Sequence, residues 1–138
     1  MTARVIDASV AAKWFFAEKG SAEAQRLVES ESVLVAPDLL IPETCNIAWK
    51  KFFVDDATAE QAAAVAAHLP NLVDQIVPSR HIAGRAVEIA MALAHPAYDC
   101  FYLALAELAD CRLITADARF GAKVAGTAWA ERVRLLGA

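Results

Sequence analysis

The chain has 138 residues, 58% of them apolar, and a formal net charge of −4. That length suits one domain, over residues 1–138, burying roughly two-thirds of its unfolded surface. No apolar run reaches the roughly 18 residues that span a bilayer, and Arg4 and Asp7 interrupt any leader-like stretch at the N-terminus, so a cytoplasmic protein without a membrane partner is expected.

Strand and helix signals alternate along the chain. Ala3–Ile6 is predicted as a strand, followed by a helix over residues 10–16 that Gly20 stops, with Ser21 as N-cap of a helix over 22–29. Residues 33–36 form a short apolar run backed by Pro37-Asp38, the pattern of a buried second strand. A helix over Leu40–Phe53 keeps Pro42 near its first turn, where proline is tolerated. Thr58 and Gln61 fit a capping box opening an Ala-rich helix that Pro70 ends. A third strand is placed over 72–77, helices over 79–94 and 97–109, a fourth strand over Arg112–Thr115 and a fifth over 132–136.

Such alternation implies the α/β class: a three-layer α/β/α sandwich around a central parallel sheet of about five strands. Right-handed crossovers then bring every strand's C-terminal end to one edge, where ligands bind at the reversal of strand order. Asp7 and Asp117 stand just past the first and fourth strands, and they meet if those strands flank the reversal. Glu43 and Asp99 stand on the predicted helices. Taken singly, each acid has a plainer reading: a helix cap for Asp7, Asp99 or Asp117, a solvated helix residue for Glu43. Taken together, they suit a hard divalent cation, because converging carboxylates repel unless something cationic meets them. Ser9 and Thr115 lie two residues from Asp7 and Asp117, where short hydroxyls can hydrogen-bond to metal-bound carboxylates or water. Asn46 lies one helical turn beyond Glu43.

The segments Val5-Ile6-Asp7-Ala8-Ser9-Val10, Glu43-Thr44-Cys45-Asn46-Ile47-Ala48-Trp49-Lys50, Tyr98-Asp99-Cys100-Phe101-Tyr102-Leu103-Ala104-Leu105-Ala106-Glu107 and Leu113-Ile114-Thr115-Ala116-Asp117-Ala118-Arg119-Phe120 follow one another in the order of the PIN-domain proteins. Within that group the chain resembles the VapC toxins of toxin–antitoxin pairs. The resemblance implies a PIN-like fold and a metal-dependent endoribonuclease acting on structured RNA such as tRNA or rRNA, leaving a 5′-phosphate and a 3′-hydroxyl. It implies that Asp7, Glu43, Asp99 and Asp117 are the acidic quartet. Asp7, Asp99 and Asp117 are then the main ligands of Mg²⁺ or Mn²⁺, and Glu43 is a further ligand or positions the attacking water. The family hydroxyl falls on Thr115 and the family amide on Asn46. A cognate antitoxin and a homodimer are implied as partners.

The acidic balance argues against a generally basic surface but leaves room for a local phosphate track. Lys13, Lys50, Lys51, Arg119 and Lys123 follow the acids closely enough to rim such a site, although ordinary solvated faces explain them equally well. Trp14, Phe15 and Phe16 cannot all face inward on one helix, so at least one is expected in a groove for a partner. His68, His81 and His95 stand near helix ends without a nucleophile motif, and Cys45, Cys100 and Cys111 read as buried reduced thiols. An RNA-processing nuclease without a toxin role remains an alternative. A receiver-like phosphoacceptor domain fits poorly, because Ala8 stands where it needs a second acid and Pro78-Ser79 where it needs an acceptor aspartate.

Overall fold

The computed structural model describes residues 2–138. Five strands, β1 (Ala3–Ile6), β2 (Val33–Pro37), β3 (Gln75–Val77), β4 (Arg112–Thr115) and β5 (Val133–Leu135), form one sheet in the order β3-β2-β1-β4-β5. Every neighbouring pair is parallel, with Ile6 in register with Ile114. The central strands carry unbroken apolar runs because both sheet faces are covered: Val5, Ile6, Leu34, Val35, Leu113 and Ile114 are all buried.

Among the described residues the sheet is joined by seven α-helices, with short 3₁₀ turns between some of them: α1 (Ala8–Ala11), α2 (Ser21–Glu29), α3 (Leu40–Phe53), α4 (Ala59–Leu72), α5 (Ala83–Leu93), α6 (Ala97–Leu108) and α7 (Ala118–Val124). The strand order reverses at β1. Right-handed crossovers therefore lay α1 to α4 over one face and α5 to α7 over the other, the three layers expected. Helix α6 buries Cys100 and every residue from Tyr102 to Ala106, because it packs on β1, β2 and β4 as well as on α5. No single helix among the described residues is long and apolar enough to cross a membrane.

Several local expectations are corrected. The helix predicted over 10–16 is α1 followed by a 3₁₀ turn, Ala12–Trp14. This break lets three consecutive aromatics reach the core: Phe16 is buried, Trp14 and Phe15 pack against the same cluster, and Trp14 Nε1 donates to the Ala24 carbonyl at 2.8 Å. Exposed aromatics lie elsewhere: Trp49, Phe52 and Phe53 around the end of α3, and Tyr98 at the start of α6. Gly20, at φ 91°, does not stop α1 but turns the chain into α2. Pro70 lies inside α4, which continues to Leu72 because Val65, Leu69 and Val73 are anchored in the core.

The third strand is shorter than expected. Asp74 is drawn off to β2, its Oδ2 accepting from Leu34 N–H at 2.8 Å. The helix predicted over 79–94 is divided into a 3₁₀ turn (Ser79–His81) and α5, since the Ser79 N–H and hydroxyl are both held by Asp38 Oδ1. Helix α7 has no counterpart among the predicted elements. Of the three thiols, only Cys100 is buried; Cys45 and Cys111 are half-buried.

Candidate active site

Because β1 and β4 are neighbours, Asp7 and the end of β4 meet at the C-terminal edge of the sheet, where the strand order reverses. Asp7 caps α1. Its Oδ1 accepts from Ser9 Oγ at 2.5 Å and from Val10 N–H at 3.2 Å, and its Oδ2 accepts from Thr115 Oγ1 at 2.5 Å. Each hydroxyl is fixed in turn by a backbone donor from just past β4. Ala116 N–H donates to Ser9 Oγ at 2.9 Å and Asp117 N–H to Thr115 Oγ1 at 3.1 Å. The Asp7 side chain has no cationic partner among the described residues, and the residue is only 6% exposed. Burial pushes its carboxyl up to about 6 despite three hydrogen bonds that favour the charged form, and the charge of Asp99 adds to the rise.

Glu43 lies in the first turn of α3. Its Oε1 accepts from the hydroxyl of Tyr102, a residue 1% exposed on α6, at 2.5 Å. Burial raises the Glu43 carboxyl above its usual range, the Tyr102 hydrogen bond opposes the rise, and Asp99 adds to it. Burial and then the adjoining Glu43 drive the Tyr102 phenol far above its ordinary value, so it remains a donor. Asp99 lies in the first turn of α6, and its Oδ2 is 2.6 Å from His95 Nε2.

Asp99 is thus within electrostatic reach of both Asp7 and Glu43. Asp117 is placed differently. Its Oδ1 accepts from Arg119 N–H at 3.0 Å and Phe120 N–H at 3.2 Å, making it the N-cap of α7, the plainer of its two sequence readings. Asn46 is exposed on α3 and makes no hydrogen bond through its side chain among the described residues.

The basic residues divide into two groups. Lys13 and Lys51 both grip Glu18, at 3.2 and 3.1 Å, and Lys51 also reaches Asp56 at 3.5 Å. Partial burial works to raise Glu18, yet hydrogen bonds from Lys51 and Lys13 hold it below its usual range. Lys50, Arg119 and Lys123 are exposed and form no ion pair among the described residues.

Two participants were not singled out from the sequence, Tyr102 and His95. The sequence separation of 59 between Tyr102 and Glu43 hides that contact from any local pattern. His95 stands four residues before Asp99, a spacing that signals contact within a helix, but Pro96 between them marks the start of α6.

The donor set consists of carboxylate oxygens, the ligands that hard divalent cations prefer over softer ones. It fits such an ion in chemistry, with mutual repulsion unrelieved by lysine or arginine. Among the described residues, no three acidic, histidine or cysteine side chains yet converge as a finished cage; Tyr102, His95 and the α7 backbone occupy the acids instead.

A PIN domain family model matches residues 4–125. The chain belongs to the PIN-domain family. The match runs from Arg4 in β1 to Ala125 just past α7 and so contains all four acids. Ribonuclease VapC1 of Mycobacterium tuberculosis, in strains CDC 1551 / Oshkosh and H37Rv, is 32% identical over 120 residues, covering 86% of this chain and 88% of the relative. Two solved PIN-like structures share the fold. PAE2754 from Pyrobaculum aerophilum superposes with a TM-score of 0.68 at 19% identity, over 91% of this chain and 82% of its own. Mycobacterium tuberculosis VapC20, a sarcin-ricin loop cleaving toxin, superposes with a TM-score of 0.70 at 19% identity, over 90% of this chain and 95% of its own.

Proposed function

We propose that this PIN domain, spanning residues 1–138, is a VapC-type toxin: a cytoplasmic endoribonuclease that cuts structured RNA, depends on Mg²⁺ or Mn²⁺, and is restrained by a cognate antitoxin. The observation that carries the reading is Asp7, a buried carboxylate raised to about 6, held by three donors, repelled by Asp99 and met by no lysine or arginine among the described residues. A buried charge left in that state calls for a cation.

Asp7 and Asp99 would hold the ion, with Asp117 adding the carboxylate oxygen it does not use as a cap. Bound there, a divalent cation supplies an acidified water and charge neutralisation at the phosphodiester. The chain's own groups do the rest. Ser9 and Thr115 keep Asp7 oriented, and Tyr102 keeps Glu43 oriented. Glu43, half-buried and with its proton affinity raised, orients the attacking water and takes up its proton. Lys50, Arg119 and Lys123, without acidic partners among the described residues, contact RNA phosphates, whereas Lys13 and Lys51 contribute less because Glu18 already engages them. Asn46, exposed one turn past Glu43, contacts the RNA or metal-bound water. The apolar groove lined by Cys45, Ala48, Trp49, Phe52, Ala59 and Ala62, with Phe53 71% exposed beside it, supports a partner at α3 and α4. We assign it to the antitoxin, and expect the chain to form a homodimer.

The test is cleavage of total RNA by purified, antitoxin-free protein with Mg²⁺, Mn²⁺ or chelator, with Asp7→Asn and Asp99→Asn as controls. Cleavage that requires metal and is lost in both variants is expected. Cleavage that survives chelation or either substitution overturns the reading.

A further inference from the structure

His95 occupies the loop between α5 and α6, directly after Ala94, whose φ of 51° closes α5 in the left-handed region. Three contacts fix it. Its backbone N–H donates to the Ala90 carbonyl at 3.1 Å, its ring packs on Phe120 with centroids 5.0 Å apart, and its Nε2 meets Asp99 Oδ2 at 2.6 Å. An ionised carboxylate can only accept, so Nε2 carries the proton of this hydrogen bond. Asp99 has no other side-chain donor among the described residues, in contrast to Asp7 with its two hydroxyls. Its Oδ1 is left without a protein partner among the described residues.

Asp99 is also the acid whose charge reaches the others, raising both Asp7 and Glu43. A freely rotating Asp99 would blur the charge that the rest of the site responds to. The seat for His95 comes from α7, since Phe120 is a residue whose N–H Asp117 caps. The histidine therefore joins the start of α6 to the start of α7, across the two elements that carry Asp99 and Asp117.

We propose that His95 is the positioning residue for Asp99: its Nε2–H fixes one carboxylate oxygen and leaves the other for a divalent cation. The inference rests on the metal-dependent reading above. Hydrogen-bond partners of metal-ligating carboxylates govern affinity, and removing one costs about 10–100-fold.

The experiment titrates metal-free protein with MnCl₂, following free Mn²⁺ by its paramagnetic resonance signal, for wild type, His95→Leu and His95→Gln. Both variants replace the ring on Phe120 with a non-aromatic side chain; leucine offers no donor, and glutamine returns an N–H. The leucine variant should bind Mn²⁺ at least about 10-fold more weakly. The glutamine variant should recover most of that loss. A purely structural role would leave glutamine as impaired as leucine, because the aromatic contact is lost in both. Mn²⁺ affinity within twofold of wild type in the leucine variant overturns the proposal, as does equal loss in the two variants. Wild type that binds no Mn²⁺ overturns the metal-dependent reading itself, and the role of His95 with it.

Discussion

Asp7 and Asp117 hold equivalent places in the chain and have different surroundings. Each follows a strand, each caps the next helix, and their strands are hydrogen-bonded neighbours. Asp7 leaves the central strand, which is paired on both sides and covered on both faces, so its carboxylate is buried and receives hydroxyls from two segments. Asp117 follows β4, one strand from the sheet's edge, and its Oδ1 meets only the backbone of its own helix. The same residue type in the same motif position is a cap that is also a buried charge, unpaired among the described residues, in one case and a cap alone in the other. Depth within the sheet decides between them, through desolvation.

The contrast can be broken most sharply in the chemistry. Asp7→Asn should lower RNA cleavage at least about 100-fold, roughly 3 kcal/mol of transition-state stabilisation, measured as kcat/KM on one RNA. Asp117→Ser keeps a capping oxygen and removes the carboxylate, so its cleavage isolates the metal-ligand role. Activity equal to wild type would leave Asp117 as a cap alone.

A second measure is pH. The Asp7 carboxyl sits near 6 when folded, against 3.8 unfolded. Its contribution to stability is therefore fully present below about pH 3.8 and lost as pH rises through about 6. Metal-free wild type should lose about 2 kcal/mol relative to Asp7→Asn between pH 4 and 7, read from urea midpoints. Parallel curves would show that Asp7 is not destabilised. Added Mg²⁺ should narrow the gap by binding the folded state.

Thr115→Val sharpens the contrast from the partner's side. It removes a buried donor from Asp7 and should cost about 1–3 kcal/mol at pH 7 and less in acid, where Asp7 is neutral. Asp117→Ala should cost about 1 kcal/mol as a lost cap. A larger loss in Asp117→Ala than in Thr115→Val would reverse the ranking of the two acids.

Most of the fold was legible because its signals are local. Leu40–Phe53 and Arg112–Thr115 begin and end where the sequence places them, and the capping box of Thr58 and Gln61 is present in full. The run from Trp14 to Phe16 misled because helical periodicity assumes one continuous helix, while the core pulled the chain into a tighter turn. The candidate site was legible in its acids and in Ser9 and Thr115, which lie within two residues of them. What stayed hidden was contact at long separation. Tyr102 and Glu43 meet only after α3 and α6 have packed, and whether Asp117 is a cap or a ligand depends on rotamer and depth, which no spacing encodes.

The paired hydroxyls carry one more consequence. Ser9 comes from the β1 side and Thr115 from β4, and both converge on one carboxylate while each accepts a backbone N–H from just past β4. A slip of one residue between the strands would turn β4 over and replace Thr115 with Ile114 or Ala116. Asp7 would then be buried against a hydrocarbon wall without its second donor. The polar cluster thus ties strand pairing to the burial of Asp7: a chain assembled one step out of register is penalised at that carboxylate, so misassembled molecules are disfavoured.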